Sequence, residues 1–247
     1  MESHVLKRQD AAVEIVLIDY PTLKLAEAIS KRWTVSPLVF TGLAFLARII
    51  AVLAFVQGLL PWGAVGVFAG MLFDGTDGKL ARIQGRDANR VGAFDFISDQ
   101  LATLILAGGL TVHLFPFGIV DTMAVYSWVA VYVMCLAVGS TYFRLSPNSL
   151  RDSGSKSVES SSGHFGSDGV LSRLARYYFS WVRRLARFRL TPYSTLVDSE
   201  FVIFVLYPLF QQISIIWFAS ILMAPNLVYL FGSVLFVLSN STEDHLD

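Results

Sequence analysis

The stretch PLVFTGLAFLARIIAVLAFVQGLLPWGAVGVFAGMLFDGTDGKLARI, residues 37–83, decides the fold. From Pro37 to Phe73 its one charged side chain is Arg48. A bilayer core takes about 20 apolar residues per helix, so the stretch reads as two spans, residues 37–60 and 62–83, turning at Pro61. The same measure marks residues 91–115, 119–145, 196–217 and 218–239, the last two dividing a run interrupted by Pro208 and Pro225. The whole chain agrees, with 247 residues, 54% hydrophobic and 15% charged, against roughly 25% charged in a soluble domain. The expected fold is all-α: a polytopic membrane protein with six transmembrane helices plus cytoplasmic interfacial helices. A disordered chain is excluded by this composition, and a disulfide scaffold by the single Cys135.

The formal net charge is zero, yet the charges are not evenly placed. Connections after the first, third and fifth spans lack Lys and Arg. Those after the second and fourth carry Arg86 and Arg90, then a series from Arg151 to Arg189. Excess basic residues mark cytoplasmic loops, which puts both termini and every Lys and Arg except Arg48 on the cytoplasmic side. The first 20 residues carry charges throughout, so no cleavable signal peptide is expected. Four regions follow. Residues 1–33 form a cytoplasmic segment whose stretch 21–33 reads as an interfacial helix. Residues 34–145 carry the first four spans. Residues 146–190 join a linker, with nine serines in 146–168, to a basic amphipathic helix over 171–190 suited to anionic lipid. Residues 191–247 carry the last two spans and a short tail. No nucleic-acid partner is expected for a basic segment tethered between spans.

Chemistry concentrates in FDGTDGKLARIQGRDANRVGAFDFISDQ, residues 73–100. Asp74 and Asp77 stand three apart, and Asp95 and Asp99 four apart, so each pair shares a helix face. With a rise of 1.5 Å per residue, all four reach one depth in the inner half of the bilayer. Each charge there costs about 2.5–3.5 kcal/mol or more. Lys79, Arg82 and Arg48 are too few to compensate, and the first two can reach the cytoplasm by snorkelling. Protonation is one remedy. A pair of hard divalent cations, Mg²⁺, Mn²⁺ or Ca²⁺, is the better one, since no His or Cys lies nearby to favour zinc. Gly75, Gly78 and Ala81 form a small-residue strip, and Arg82 beside it suits a nucleotide diphosphate.

Asp74, Asp77, Gly78, Ala81, Arg82, Asp95 and Asp99 resemble the signature of the CDP-alcohol phosphotransferase family, Asp-x2-Asp-Gly-x2-Ala-Arg-x8-Gly-x3-Asp-x3-Asp. One position departs: Val91 stands where the family has glycine, with Gly92 next to it. Residues 35–41 are also similar to the family's Thr-Pro-Asn start of the first span, with Leu38 where Asn is common.

The resemblance implies an integral-membrane phosphotransferase of phospholipid synthesis. It would move a phosphatidyl or substituted phosphoryl group from a CDP-alcohol to an acceptor hydroxyl and release CMP. For a six-span chain of this length it favours CDP-diacylglycerol with a polar alcohol; the alternative is a CDP-linked small alcohol with a lipid acceptor. Asp74, Asp77 and Asp95 would hold two Mg²⁺ or Mn²⁺ ions, with Asp99 a further ligand or the catalytic base. Asp74, Gly78, Ala81 and Arg82 would lie against the cytidine diphosphate, and a homodimer is common among such enzymes.

Arg48 and Arg144 are candidate acceptor-site residues, Arg48 equally a counter-ion for one aspartate. Asp198 and Glu200 either pair with these arginines or open the fifth helix. A cation transporter or channel is the rival from another class, and Arg82 beside the carboxylates argues against it; a non-catalytic scaffold is disfavoured by four retained aspartates. Asp99→Asn is expected to abolish turnover while leaving CDP-alcohol binding intact, measured by CMP release and equilibrium binding; lost binding with normal metal occupancy contradicts the base role.

Overall fold

The computed structural model describes residues 6, 10–33, 35–85, 88–145, 184, 188–191 and 195–243. The Ser-rich linker and, apart from residues 184 and 188–190, the basic helix expected over 171–190 lie outside them. A π-helical turn, Glu14–Ile18, leads into α1 (Asp19–Arg32). Then come α2 (Pro37–Val56), α3 (Leu60–Ile83), α4 (Ala88–Leu114) and α5 (Ile119–Leu145). After residue 195 the chain forms α6 (Leu196–Phe201), a π-helical segment (Val202–Leu206), α7 (Tyr207–Phe210) and α8 (Ile213–Glu243). Among the described residues there is no strand, only an isolated bridge between Asp10 and Leu190.

Among the described residues three segments are long and apolar enough to cross a membrane: Pro37–Val56, Ile97–Phe117 and Ile119–Thr141. They support a helical membrane protein. α3 is 24 residues long, but its C-terminal part carries Asp74, Asp77, Lys79 and Arg82.

The hairpin of α2 and α3 is built on small residues. Gly58 turns the chain at φ +77°, a conformation that favours glycine. A Cβ on Gly66 would lie 3.0 Å from the Ala51 Cβ and 3.1 Å from the Ala47 carbonyl oxygen, and one on Gly70 would lie 3.2 Å from the Ala44 oxygen. Such faces let two backbones approach closely without any side chain between them. The register is regular: Phe55 meets Gly63, Arg48 meets Gly70 and Thr41 meets Asp77, seven residues per step on both helices. That register places Asp77 beside the start of α2 and Asp74 one helical turn beyond Gly70, the residue that meets Arg48.

α4 docks on α2, where Gly109 faces Val52, and α5 docks on α8. The π-helical segment packs on α3 and supplies Phe204 to the core. Phe204 stacks on Phe55 at 6.5 Å and meets Trp128 edge-on at 5.3 Å. One aromatic ring thus ties α2, α5 and the segment after α6 together.

Two expectations are corrected. The division between the last two apolar runs falls at Gln211, where φ is +55°, and not at residue 217. Pro208 lies inside the continuous helical stretch from Leu196 to Phe210, directly after its π-helical turn, and Pro225 lies inside α8. The helix expected at the interface over residues 21–33 starts at Asp19, and one of its faces is buried against the protein. Its buried face, including Ala26 and Ile29, packs with Leu80 of α3 and Phe40 of α2. Val16, Leu17, Tyr20 and Trp33 remain exposed on the other side.

Gly66→Leu is expected to destabilise the protein by about 1–3 kcal/mol, the cost of overpacking a tight contact. Gly108→Leu, with nothing within 4 Å of its Cβ position, should leave the thermal midpoint nearly unchanged.

Candidate active site

Helical spacing on α3 brings Asp74, Asp77, Gly78, Lys79 and Arg82 to one wall of a cavity of about 130 Å³. Leu6, Asp10, Glu14 and Asp19 form the facing wall. The N-terminal segment lies there because it is clipped in place: the Asp10 amide donates to the Arg189 carbonyl at 2.9 Å and the Thr191 amide to the Asp10 carbonyl at 3.3 Å. The Val13 amide donates to Asp198 Oδ1 at 2.9 Å.

Asp77 is buried, and its Oδ2 accepts from the Thr41 hydroxyl at 2.6 Å, which fixes the carboxylate's rotamer. Arg82 folds back along its own helix, Nε donating to the Gly78 carbonyl at 2.8 Å. A Cβ at Gly78 would meet only the Arg82 Nη2 at 3.5 Å, so the backbone stays approachable from the cavity. Gly75 serves a different purpose: a Cβ there would lie 2.8 Å from Ile18 Cγ2. Its lack of a side chain admits the N-terminal segment, and it lines the cavity together with Gly78. Ala81 is buried and is not part of the cavity wall.

Lys79 does not snorkel to water. It is 3% exposed, its ammonium 2.9 Å from Asp19 Oδ1 with a further bond of 3.3 Å to the Gly75 carbonyl. Arg189 Nη1 meets the other oxygen of Asp19 at 2.9 Å. One carboxylate on α1 thus compensates a buried ammonium on α3 and a guanidinium from the segment before α6. Burial of a lone charge is costly, so the pairing explains why Lys79 is tolerated so deep in the structure.

Asp99 takes up a separate position. Its carboxylate pairs with Arg48, which is also within electrostatic reach of Asp74 and Glu200. Arg48 therefore stands as a counter-ion, one of its two expected roles. Asp95 lies one helical turn before Asp99 on α4, and Arg144 lies near the end of α5; both side chains are outside the described residues. Among the described residues no three His, Cys, Asp or Glu side chains gather closely enough to hold a metal ion.

Asp198 opens α6 rather than pairing with Arg48. Its carboxylate accepts from the Thr195 amide and hydroxyl, completing a capping box that starts α6. Glu200 accepts from the hydroxyls of Tyr132 and Thr103. Sequence reading missed Asp10, Glu14, Asp19 and Thr41. For Asp19 the available signal was its place just ahead of an amphipathic run, where an acidic residue favours a helix N-terminus.

Comparison with known proteins finds no protein family, no curated protein and no solved structure that matches this chain.

Asp19→Asn should destabilise the protein by about 3–5 kcal/mol, because it strands the buried Lys79 ammonium. The double variant Asp19→Leu/Lys79→Met should recover most of that loss in thermal unfolding; equal destabilisation by both variants contradicts the ion-pair assignment.

Proposed function

We propose that this chain is an integral-membrane, divalent-metal-dependent CDP-alcohol phosphotransferase, moving a phosphatidyl group from CDP-diacylglycerol to a polar alcohol with release of CMP. The observation that carries the reading is the meeting of the motif residues Asp74, Asp77, Gly78 and Arg82 on one cavity wall. In this reading α2, α3, α4, α5, the stretch from α6 through α7, and α8 are six crossings. The distribution of Lys and Arg supports a cavity open to the cytoplasm.

The donor set fits the implied metal: hard carboxylate oxygens on Asp74 and Asp77, with no His or Cys in the cavity wall. Asp74, Asp77 and Asp95 would hold two Mg²⁺ or Mn²⁺ ions, which supply charge neutralisation at the transferred phosphoryl group. Arg82 suits one diphosphate oxygen as a charge-assisted donor. Gly78 gives the nucleotide room to approach the helix backbone. Thr41 holds Asp77 in one orientation, so the carboxylate is ordered before substrate arrives. Asp99, at the level of Arg48, is the residue we assign to take the acceptor hydroxyl's proton, which requires it within about 2.6–3.2 Å of that hydroxyl in the complex.

Purified protein should release CMP from CDP-diacylglycerol when supplied with Mg²⁺ or Mn²⁺ and one of glycerol phosphate, inositol, inositol phosphate or serine. Release should stop with a chelator and with Asp77→Asn. Lipid analysis of cells expressing the chain, against an Asp95→Ala control, should identify the new phospholipid and separate a lipid donor from a lipid acceptor. No release from any CDP-alcohol, with cation flux in vesicles, would overturn the enzyme reading in favour of a transporter.

A further inference from the structure

Behind the cavity, a second polar cluster sits inside the apolar bundle and draws on four helices. Arg48 of α2 pairs with Asp99 of α4. One further turn along α4, the Thr103 hydroxyl donates to Glu200 Oε1 of α6 at 3.2 Å. The Tyr132 hydroxyl of α5 lies 2.9 Å from the same Glu200 oxygen and 2.7 Å from the side-chain amide of Gln100. Tyr132 and Thr103 are buried, so this orientation of Glu200 is held by rigid neighbours.

The charges do not match one to one. Arg48 has three carboxylates at hand: Asp99 in contact, and Asp74 and Glu200 within electrostatic reach. Asp74 lines the cavity, where the proposed metal would claim its charge, which leaves Glu200, held by neutral hydroxyls on the bundle side. An ionisable side chain at this depth is expensive unless it has a use. The two partners also differ in freedom. The Asp99 side chain is 28% exposed while that of Arg48 is 7% exposed, so Asp99 can turn away and the guanidinium cannot follow it to water.

We propose that Glu200 is the second counter-ion of Arg48, and that Arg48 and Glu200 are positioning residues for Asp99. When Asp99 leaves the guanidinium to meet the acceptor hydroxyl, Glu200 keeps Arg48 neutralised, so the departure does not strand a positive charge in the bundle. Tyr132 and Thr103 hold Glu200 ready without engaging the guanidinium themselves. This inference rests on the role proposed above for Asp99.

The test uses full-length protein in lipid nanodiscs, with Glu200→Gln, Arg48→Gln, the double variant and Tyr132→Phe, each followed by CMP-release kinetics and by thermal unfolding. Glu200→Gln should lower kcat about 10- to 100-fold, the range seen when a supporting partner of a working residue is removed. KM for the CDP-alcohol should stay within about twofold, because ground-state binding is untouched. In the Arg48→Gln background the same change should have little further effect on kcat or on the unfolding midpoint. Tyr132→Phe should lower kcat in the same direction by less, and it carries the reading if Glu200→Gln fails to fold. Full kcat in Glu200→Gln, or losses that simply add in the double variant, would overturn the proposal and leave Glu200 as a helix clamp. If the unaltered protein releases no CMP, the enzyme reading fails, and additivity of the unfolding midpoints still decides whether Arg48 and Glu200 are paired.

Discussion

A guanidinium twelve residues into an apolar helix has to find a carboxylate inside the protein, and this requirement organises much of the bundle. Arg48 finds Asp99 on α4. For the two to meet, α2 must lie against α4, which Gly109 permits by giving way to Val52. α3 must also lie close to α2 on its other side, which Gly63, Gly66 and Gly70 permit. The small-residue register and the ion pair are therefore one constraint seen twice. That register in turn brings Thr41 to Asp77 and sets the carboxylates of α3 at the open end of the hairpin.

A second compensation closes the site. Lys79 points into the protein rather than out of it, and α1 answers with Asp19. The helix could have floated on the membrane surface with an apolar face down. Instead it turns one face to α3 and leaves Val16, Leu17, Tyr20 and Trp33 exposed on another, so the same segment walls the cavity and presents apolar side chains outward. Residues near position 10 and near position 190 meet in this arrangement, and the cavity is assembled from parts far apart in the chain.

What could be read from the sequence follows from the range of each interaction. The helices over residues 37–56, 60–83 and 119–145 are local matters of hydropathy and stand close to where the apolar runs begin and end, but the first turn falls at Gly58 and not at the expected Pro61, which the first turn of α3 accommodates. The end of the fifth run was hidden because proline dominates as a breaker in sequence reading. Pro208 and Pro225 are both accommodated in helix, while the paired Gln211 and Gln212 mark the break. Asp74, Asp77, Gly78 and Arg82 were legible as a set because the spacing of one helix fixes them on one wall. Asp19, Asp10 and Glu14 were not, since nothing in their own neighbourhood announces α3 as a partner. Lys79 was misread for the same reason: a lysine near a helix end snorkels unless another segment covers it.

The aspartates near the C-terminal end of α3 are proposed to hold a divalent cation for phosphoryl transfer. Electron paramagnetic resonance of Mn²⁺ titrated into the purified protein tests this without any substrate. Saturable binding to the unaltered chain should be lost in both Asp74→Asn and Asp77→Asn, with the fold intact. Binding of equal strength in both variants, or none in the unaltered protein, would contradict it.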